Sequence, residues 1–384
     1  MTNAPKSSVS KAPCEALCSD MGAWWAPSVH PVYARLLCAE LLRRGFSRET
    51  VLGGTGLAWD ALHTGAAFLS TAQLQRLVHH AFALTEEPAL GLAVGLSTDL
   101  STHGPLGVAA MASERVEDVV RLLPRYSRLR LRLGTFELGP LRDGGLALRF
   151  VEALPGGSGD PRLRAYVLGH LTGALLRLLQ AVSGWGASAP GLALHWPLPV
   201  GAMPAHWAGV LPQVWFHGPG WQLDLPAHFL NQATLAPDAE ARRSALRECD
   251  RRLESPAAGS QAQQVRERLL ACEGHLPGLS AMAEAHHVSP RTLIRRLRDE
   301  GMTYQILLDQ TRADLACWWL SQTDGPVHAI AERLGFADAS NFSRTFRRWC
   351  GTTPSTYRQR AECSGAVVKD DACAHQEGVR LDRL

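Results

Sequence analysis

The chain has 384 residues, 46% of them hydrophobic, and its 39 Lys plus Arg against 36 Asp plus Glu leave a net charge of +3. That length holds two domains with packed cores, and so small a charge argues against a general nucleic-acid coating protein. Nine cysteines, an odd count scattered without framework spacing, fit reduced thiols in a cytoplasm.

Residues 1–28 are small, polar and unpatterned, which predicts a disordered tail, and they lack the apolar core of a signal peptide. From 29 to 225 the pattern predicts an α+β domain. Apolar residues recur at helical spacing near 31–44, 71–84, 115–132 and 161–183. Strand-like runs occupy Thr135–Leu138, Leu146–Val151, Leu192–Trp196, Val214–Phe216 and Trp221–Leu225. Asp143-Gly144-Gly145 and Gly218-Pro219-Gly220 have the composition of hairpin turns. A polar helix over Pro237–Leu253, followed by Ser255-Pro256-Ala257-Ala258-Gly259-Ser260, predicts a linker across 226–261. A second disordered tail is expected over 361–384.

The stretch between Arg177 and Asp224 contains no Asp, Glu, Lys or Arg, yet holds Trp185, Trp196, Trp207, Trp215 and Trp221, interleaved with His195, His206 and His217. Core filling or a dimer face is the plainer account of these rings. A partly apolar cavity with polar handles is the functional one, with Trp185, His195, Trp196, Trp215 and His217 as candidate effector-binding residues. With no formal counter-charge in the segment, such a site suits a neutral or amphipathic ligand. The same stretch holds six prolines, so no membrane span is expected.

Enzyme signatures are weak. Gly54-Thr55-Gly56-Leu57-Ala58-Trp59 lacks the third glycine of a dinucleotide fingerprint, and no Gly-x-Ser-x-Gly or His-Glu-x-x-His element occurs. His79-His80 and His286-His287 are adjacent pairs, which point apart on a helix, so neither suggests a metal site. No catalytic residue, cofactor or metal is therefore assigned. Cys14, Cys38 and Cys249 are the thiols weighed for redox sensing.

The last third carries two helix-turn-helix patterns joined by one helical stretch, which implies two helices offered to two segments of DNA major groove. In the first, Leu279 to Val288 leads to Ser289 as N-cap and Pro290 at the first helical position. Leu293 and Leu297 face inward, while Arg291, Thr292, Arg295, Arg296 and Arg298 remain for solvent or DNA. His287 stands at the turn, a position where histidine tolerates a left-handed backbone. In the second, Ile330, Ala331 and Leu334 form the apolar stripe of the leading helix and Gly335 makes the turn. Asp338 or Ser340 can cap the following helix, whose inner face is Phe342, Phe346 and Trp349. Its outer face carries Ser340, Asn341, Arg344 and Arg348, types suited to bases and phosphates. Between the units Thr303–Gln322 predicts a capped amphipathic helix spanning about 30 Å, close to the ~34 Å of one DNA turn.

Residues 262–360 resemble the DNA-binding domain of the AraC/XylS family of bacterial transcription regulators. The resemblance rests on Ser289 to Leu293, Arg312 to Leu320, Ile330 to Phe336, Asn341 to Arg348 and Gly351 to Arg358. It implies that Arg291, Thr292 and Arg295 enter one groove and Ala339, Ser340, Asn341 and Arg344 the other. Upstream, Val51 to Leu57, Leu90 to Gly95, His103 to Gly107 and Val214 to Gly218 resemble the arabinose-binding-like sensor domain of ornithine-utilisation and related AraC-type regulators. Together the two resemblances imply a cytoplasmic, effector-responsive regulator, expected to activate a metabolic or virulence operon. Its implied partners are promoter DNA, RNA polymerase, an unidentified small effector and a second copy in a homodimer. A ligand-independent architectural protein with a dimerising N-terminal domain is the alternative.

Overall fold

The structure is a computed structural model that describes residues 24–359 apart from 58, 60, 61, 63–67, 155–159, 186–188, 200–210, 255–260, 271, 273–275, 301, 324 and 351. The chain divides into two compact units at Gln264/Val265, with 53–56 counted in the second. Residues 1–23 of the expected first tail, all of the second, and Ser255–Ser260 lie outside the described residues.

The first unit is α+β. Short β1 (Pro27–Val29) pairs antiparallel with β2 (Leu69–Ser70), and the helices α1 (Pro31–Arg43), α2 (Arg48–Leu52) and α3 (Thr71–Thr85) gather beside them. A reciprocal capping box starts α3: Gln73 N donates to Ser70 Oγ at 3.2 Å and Ser70 N donates to Gln73 Oε1 at 3.0 Å. Next come α4 (Leu90–Leu96), α5 (Pro105–Met111) and α6 (Val116–Tyr126), then the hairpin β3 (Gly134–Pro140) and β4 (Leu146–Glu152). The turn joining them places Gly144 at φ 80°, as Asp143-Gly144-Gly145 predicts. Helix α7 (Pro161–Ser183) opens on Asp160, whose carboxylate accepts from Arg162 N and Leu163 N at 3.1 Å, and stops at left-handed Gly184. By length and composition α7 could cross a membrane, but most of its apolar segment is buried inside this unit.

The five-stranded sheet runs β3-β4-β7-β5-β6, where β5 is Ala193–Trp196, β6 Gln213–Phe216 and β7 Trp221–Leu225. Only β5 and β6 pair in parallel. Gly218-Pro219-Gly220 is therefore not a hairpin turn. It carries the chain from edge strand β6 past β5 to β7, which lies antiparallel between β4 and β5.

Two expected boundaries move. Trp25 is buried and Pro27–Val29 is a strand, so order begins inside the predicted tail, where an apolar ring outweighs the polar composition around it. The predicted linker is largely part of the first unit. Phe229 and Leu230, on α8 (Ala227–Leu230), are buried in its core, and α9 (Ala239–Glu254) packs Ala245, Leu246, Cys249 and Leu253 against the same core. That stripe is narrow and flanked by arginines and acids, so composition hides it. Tyr126 Oη and Arg125 Nη2 both donate to Asp250 Oδ1 at 2.8 Å, holding α9 to α6.

Helices α4 and α7 meet through glycines. A Cβ added at Gly91 would lie 2.2 Å from the Tyr166 carbonyl oxygen, and one at Gly95 would lie 2.3 Å from that of His170. In the reverse direction a Cβ at Gly173 would stand 2.6 Å from Leu92 O and Leu96 N. The backbones touch, and neither helix can yield locally.

The second unit is helical, built around α11 (Leu279–Ala285), α12 (Pro290–Asp299), α13 (Tyr304–Gln322), α14 (Val327–Arg333) and α15 (Ala339–Cys350), with α10 (Gln261–Leu270) leading into it. Leu315, Leu320, Ile330, Leu334, Phe342 and Phe346 fill one core.

Gly173→Ala should destabilise the protein by about 1–3 kcal/mol, the usual cost of overpacking. Gly220→Ala, where a Cβ meets nothing within 4 Å, serves as control. Thermal unfolding of both variants checks this; equal melting temperatures would refute the close contact.

Candidate DNA interface and sensor cavity

In the second unit each helix-turn-helix is set by a turn and a cap. Between α11 and α12 the turn passes through His287 at φ 53°, and Thr292 N donates to the N-cap oxygen Ser289 Oγ at 3.1 Å. Between α14 and α15 Gly335 adopts φ 79°, and Asn341 N donates to Asp338 Oδ1 at 2.7 Å. The cap is thus Asp338, leaving the exposed Ser340 hydroxyl outside this role. Thr303 caps α13, accepting from Ile306 N at 3.2 Å. The 19 residues of α13 reach about 28 Å. Arg312 projects from it to donate to Leu334 O at 3.0 Å and lies over the Phe336 ring, locking the second turn to this rod. Arg266 and Asp314 add an ion pair of 2.6 Å, both side chains almost wholly buried.

The faces come out as the sequence predicts: Leu293 and Leu297 point inward on α12, and Phe342 and Phe346 on α15. Arg291, Arg295 and Arg296 are exposed on α12, with Thr292 half-buried. On α15, Ser340, Asn341, Arg344 and Arg348 are exposed and Ala339 is half-buried. Ser289 and Thr292 also bond each other through their hydroxyls at 2.9 Å, so both are engaged in shaping the helix start. Sequence reasoning missed Ile294, exposed on the face bounded by Arg291, Arg295 and Arg298. An isolated apolar side chain in an arginine face is suited to a thymine methyl.

In the first unit the five candidate effector residues differ in placement. Trp196 is buried in the core, while Trp185 and Trp215 are about half exposed. His195 sits across from Trp215 in the β5–β6 register, and its Nε2 bonds Asp224 Oδ2 at 2.9 Å. His217 turns the chain after β6 at φ 61°. His206 and Trp207 lie outside the described residues.

A partly open cavity lies elsewhere, between α1, α5, α6, α7 and β3. Its volume of about 90 Å³ is several times the need of one water. Leu123, Phe136, Leu171 and Leu175 line its apolar side; Tyr33, His103, Arg130, Tyr166 and His170 supply the polar groups. Tyr33 Oη bonds His103 Nδ1 at 3.2 Å, and His170 is wedged between the Tyr33 and Tyr166 rings. The guanidinium of Arg130 donates to His103 O at 3.3 Å and abuts His30 Nε2. Gly104 makes this possible, since a Cβ there would sit 2.1 Å from Arg130 Nη2.

Electrostatics keep the surrounding rings neutral. Burial, reinforced by Arg130, pushes His30 down to about 3 and His103 down to about 4. Burial and then His103 lower His170 to about 3, and burial raises Tyr33 to about 12. Both ring nitrogens of His170 and the Tyr166 hydroxyl are shielded from solvent without a hydrogen-bond partner. Sequence periodicity could not assemble this set, although His103-Gly104-Pro105 was its visible trace. Of the thiols weighed for redox sensing, Cys38 is pushed up to about 12 and Cys249 to about 11, both chiefly by burial. Neither has the thiolate character of a reactive site. Cys14 lies outside the described residues. No group of three His, Cys, Asp or Glu suited to a metal occurs among the described residues.

Comparison with known proteins places these two units. Residues 282–360 match a helix-turn-helix domain model, and residues 45–233 match the arabinose-binding N-terminal domain of AraC transcription regulators. The ornithine utilization regulator of Pseudomonas aeruginosa is 32% identical over 340 residues, 87% of this chain and 97% of that protein. The regulator VqsM of the same species is 26% identical over 70% of this chain and 83% of its own length. The crystal structure of the P. aeruginosa transcriptional regulator CdpR covers 85% of this chain and 98% of its own, with a TM-score of 0.41 at 23% identity. With a relative at 32% identity matched along nearly its whole length, the chain belongs to the AraC family of DNA-binding transcription regulators.

Proposed function

We propose that this regulator senses a small molecule in the apolar cavity of its first unit and activates a metabolic or virulence operon in response. The observation that carries the reading is the cavity itself: a mostly apolar space whose lining residues include unsatisfied polar atoms, in a chain whose other unit presents two capped helices for DNA. Effector binding shifts the populations of sensor conformations or of a homodimer, changing how the reader engages its promoter. RNA polymerase is the partner through which activation proceeds, and the cytoplasm is where it acts.

In the reader, Arg291 and Arg295, with Ile294 between them, face bases in the first groove segment. Arg296 and Arg348 serve phosphates, Ser289 and Thr292 set the entry of α12, and Asn341 and Arg344 read the second segment beside Ala339 and Ser340. Exposed arginines with no ion-pair partner among the described residues, such as Arg291, Arg295, Arg344 and Arg348, support this assignment.

The decisive experiment maps genomic binding sites and tests metabolites of the neighbouring genes for a thermal shift of the full-length protein. Ligand at a hundred times its dissociation constant should stabilise it by about 2.7 kcal/mol. A protein that binds its promoters but responds to no metabolite would favour the ligand-independent architectural alternative.

Arg295→Ala and Arg344→Ala should each cost about 1–3 kcal/mol on the specific site and relax preference at one groove segment. Equal losses on specific and random DNA in mobility-shift assays would make them phosphate contacts instead. The footprint of the full-length protein should cover two consecutive major-groove segments, with affinity falling steeply as salt rises; protection of a single segment would contradict the rod geometry.

A further inference from the structure

Arg130 is the one formally charged residue lining the cavity, and no carboxylate pairs with it among the described residues. Its neighbours are a neutral imidazole, a carbonyl oxygen and a tyrosine held in the phenol form. Arg130 is half-buried, and a cation partly withdrawn from water without an anion is costly; here the arrangement is built, since Gly104 at φ 61° clears the volume that the guanidinium occupies. Close by, the Tyr166 hydroxyl and both His170 nitrogens have no partner. A neutral imidazole still offers one N–H donor and one acceptor, and a phenol offers an O–H donor. The cavity therefore has one full positive charge on its wall, and two donors without a protein partner packed into its lining, which a ligand reaches only by a small shift of the Tyr166 and His170 rings.

Away from these groups the walls are apolar, with Leu106, Leu123, Phe136, Leu171, Leu175 and Leu178. No Asp or Glu lines the space, so a ligand ammonium would find no counter-charge. A dianionic phosphate would exceed the single guanidinium. One negative charge on an apolar body satisfies both ends.

We propose that the effector is an amphipathic monocarboxylate, its carboxylate held by Arg130 with Tyr166 and His170, and its apolar body lying along α6 and α7. This deepens the reading of the first unit as a small-molecule sensor and rests on it. A carboxylate accepts charge-assisted hydrogen bonds from the guanidinium, stronger than neutral ones, and supplies the acceptor that Tyr166 lacks.

The test uses full-length protein and isothermal titration calorimetry with hexanoate and phenylacetate against the uncharged hexanol and the cationic hexylamine. The acids should bind more tightly than hexanol, and hexylamine should not bind. Arg130→Gln should weaken the acids about tenfold or more while leaving hexanol unchanged. Arg130→Lys should retain part of the preference. Tyr166→Phe, which removes a hydroxyl with no protein partner and so spares folding, should weaken the acids alone. Ala174→Leu, which fills the cavity, should abolish binding of both acids and hexanol.

Acids that bind no better than hexanol, or a preference for hexylamine, would overturn the carboxylate assignment. So would unchanged acid binding in both Tyr166→Phe and a folded Arg130 variant. If another metabolite then binds and Ala174→Leu blocks it, the sensor reading stands and only the ligand class falls. If a metabolite drives DNA binding in wild type and Ala174→Leu alike, the cavity is not the effector site and both readings fail.

Discussion

The first unit depends on how closely α4 approaches α7. Gly91 and Gly95 lie against the carbonyls of Tyr166 and His170, and Gly169 and Gly173 admit the backbone of α4 from the other side. Side chains of any size would push the helices apart, and dispersion gains fall quickly with separation. The same two residues whose carbonyls meet the α4 glycines turn their rings into the cavity. Helix packing and cavity geometry are thus one constraint. Tyr166 and His170 cannot shift along α7 without breaking the backbone contact, so their unpartnered polar atoms are held in place rather than free to find partners elsewhere. Preorganisation of this kind lowers the ordering cost of binding.

A second constraint is electrostatic. Arg130 keeps its proton because a guanidinium deprotonates only at very high pH, although burial lowers its pKa from the ordinary value. Its charge in turn disfavours protonation of His30 and His103, whose burial already does so. Each neutral ring therefore leaves the guanidinium as the cavity's lone charge. The sign of the site does not change over the physiological range, since all three histidines stay far below neutrality.

The reader is organised differently, by caps and by a rod. Ser289, Thr303 and Asp338 each satisfy a backbone N–H at a helix start, worth about 1 kcal/mol apiece. They fix where α12, α13 and α15 begin, and hence which residues turn outward. Arg312 does the long-range work, since its bond to Leu334 O ties the second turn to the helix that also carries the first unit of the pair. The two turns differ in chemistry. Gly335 accepts a left-handed backbone without cost, whereas His287 adopts it at some expense. Backbone bonds from His287 N to Glu284 O and from Val288 N to Ala283 O compensate by closing that turn.

These differences explain what the sequence made legible. The reader was readable because its signals are local: caps, a turn residue and an apolar stripe all fall within twenty residues of each other. The main helices and strands of the first unit were readable for the same reason. Helices α4 and α5 were not, because Gly91, Gly95 and Gly107 depress helix propensity and reveal their value only against a partner backbone. The tryptophan-rich stretch was hard to read because ring count carries no register. Parallel pairing of β5 with β6 sends Trp196 into the core and leaves Trp215 outside beside His195. The cavity residues, by contrast, come from α1, α7 and the segments around His103 and Arg130, far apart in sequence and with no shared period. What marks them is a nearby glycine: Gly104 leaves room for the Arg130 guanidinium, while Gly91 and Gly95 admit the backbone carbonyls of Tyr166 and His170. A glycine that looks like a flaw in a helix or turn pattern is here the sequence trace of a close approach that only the folded chain reveals.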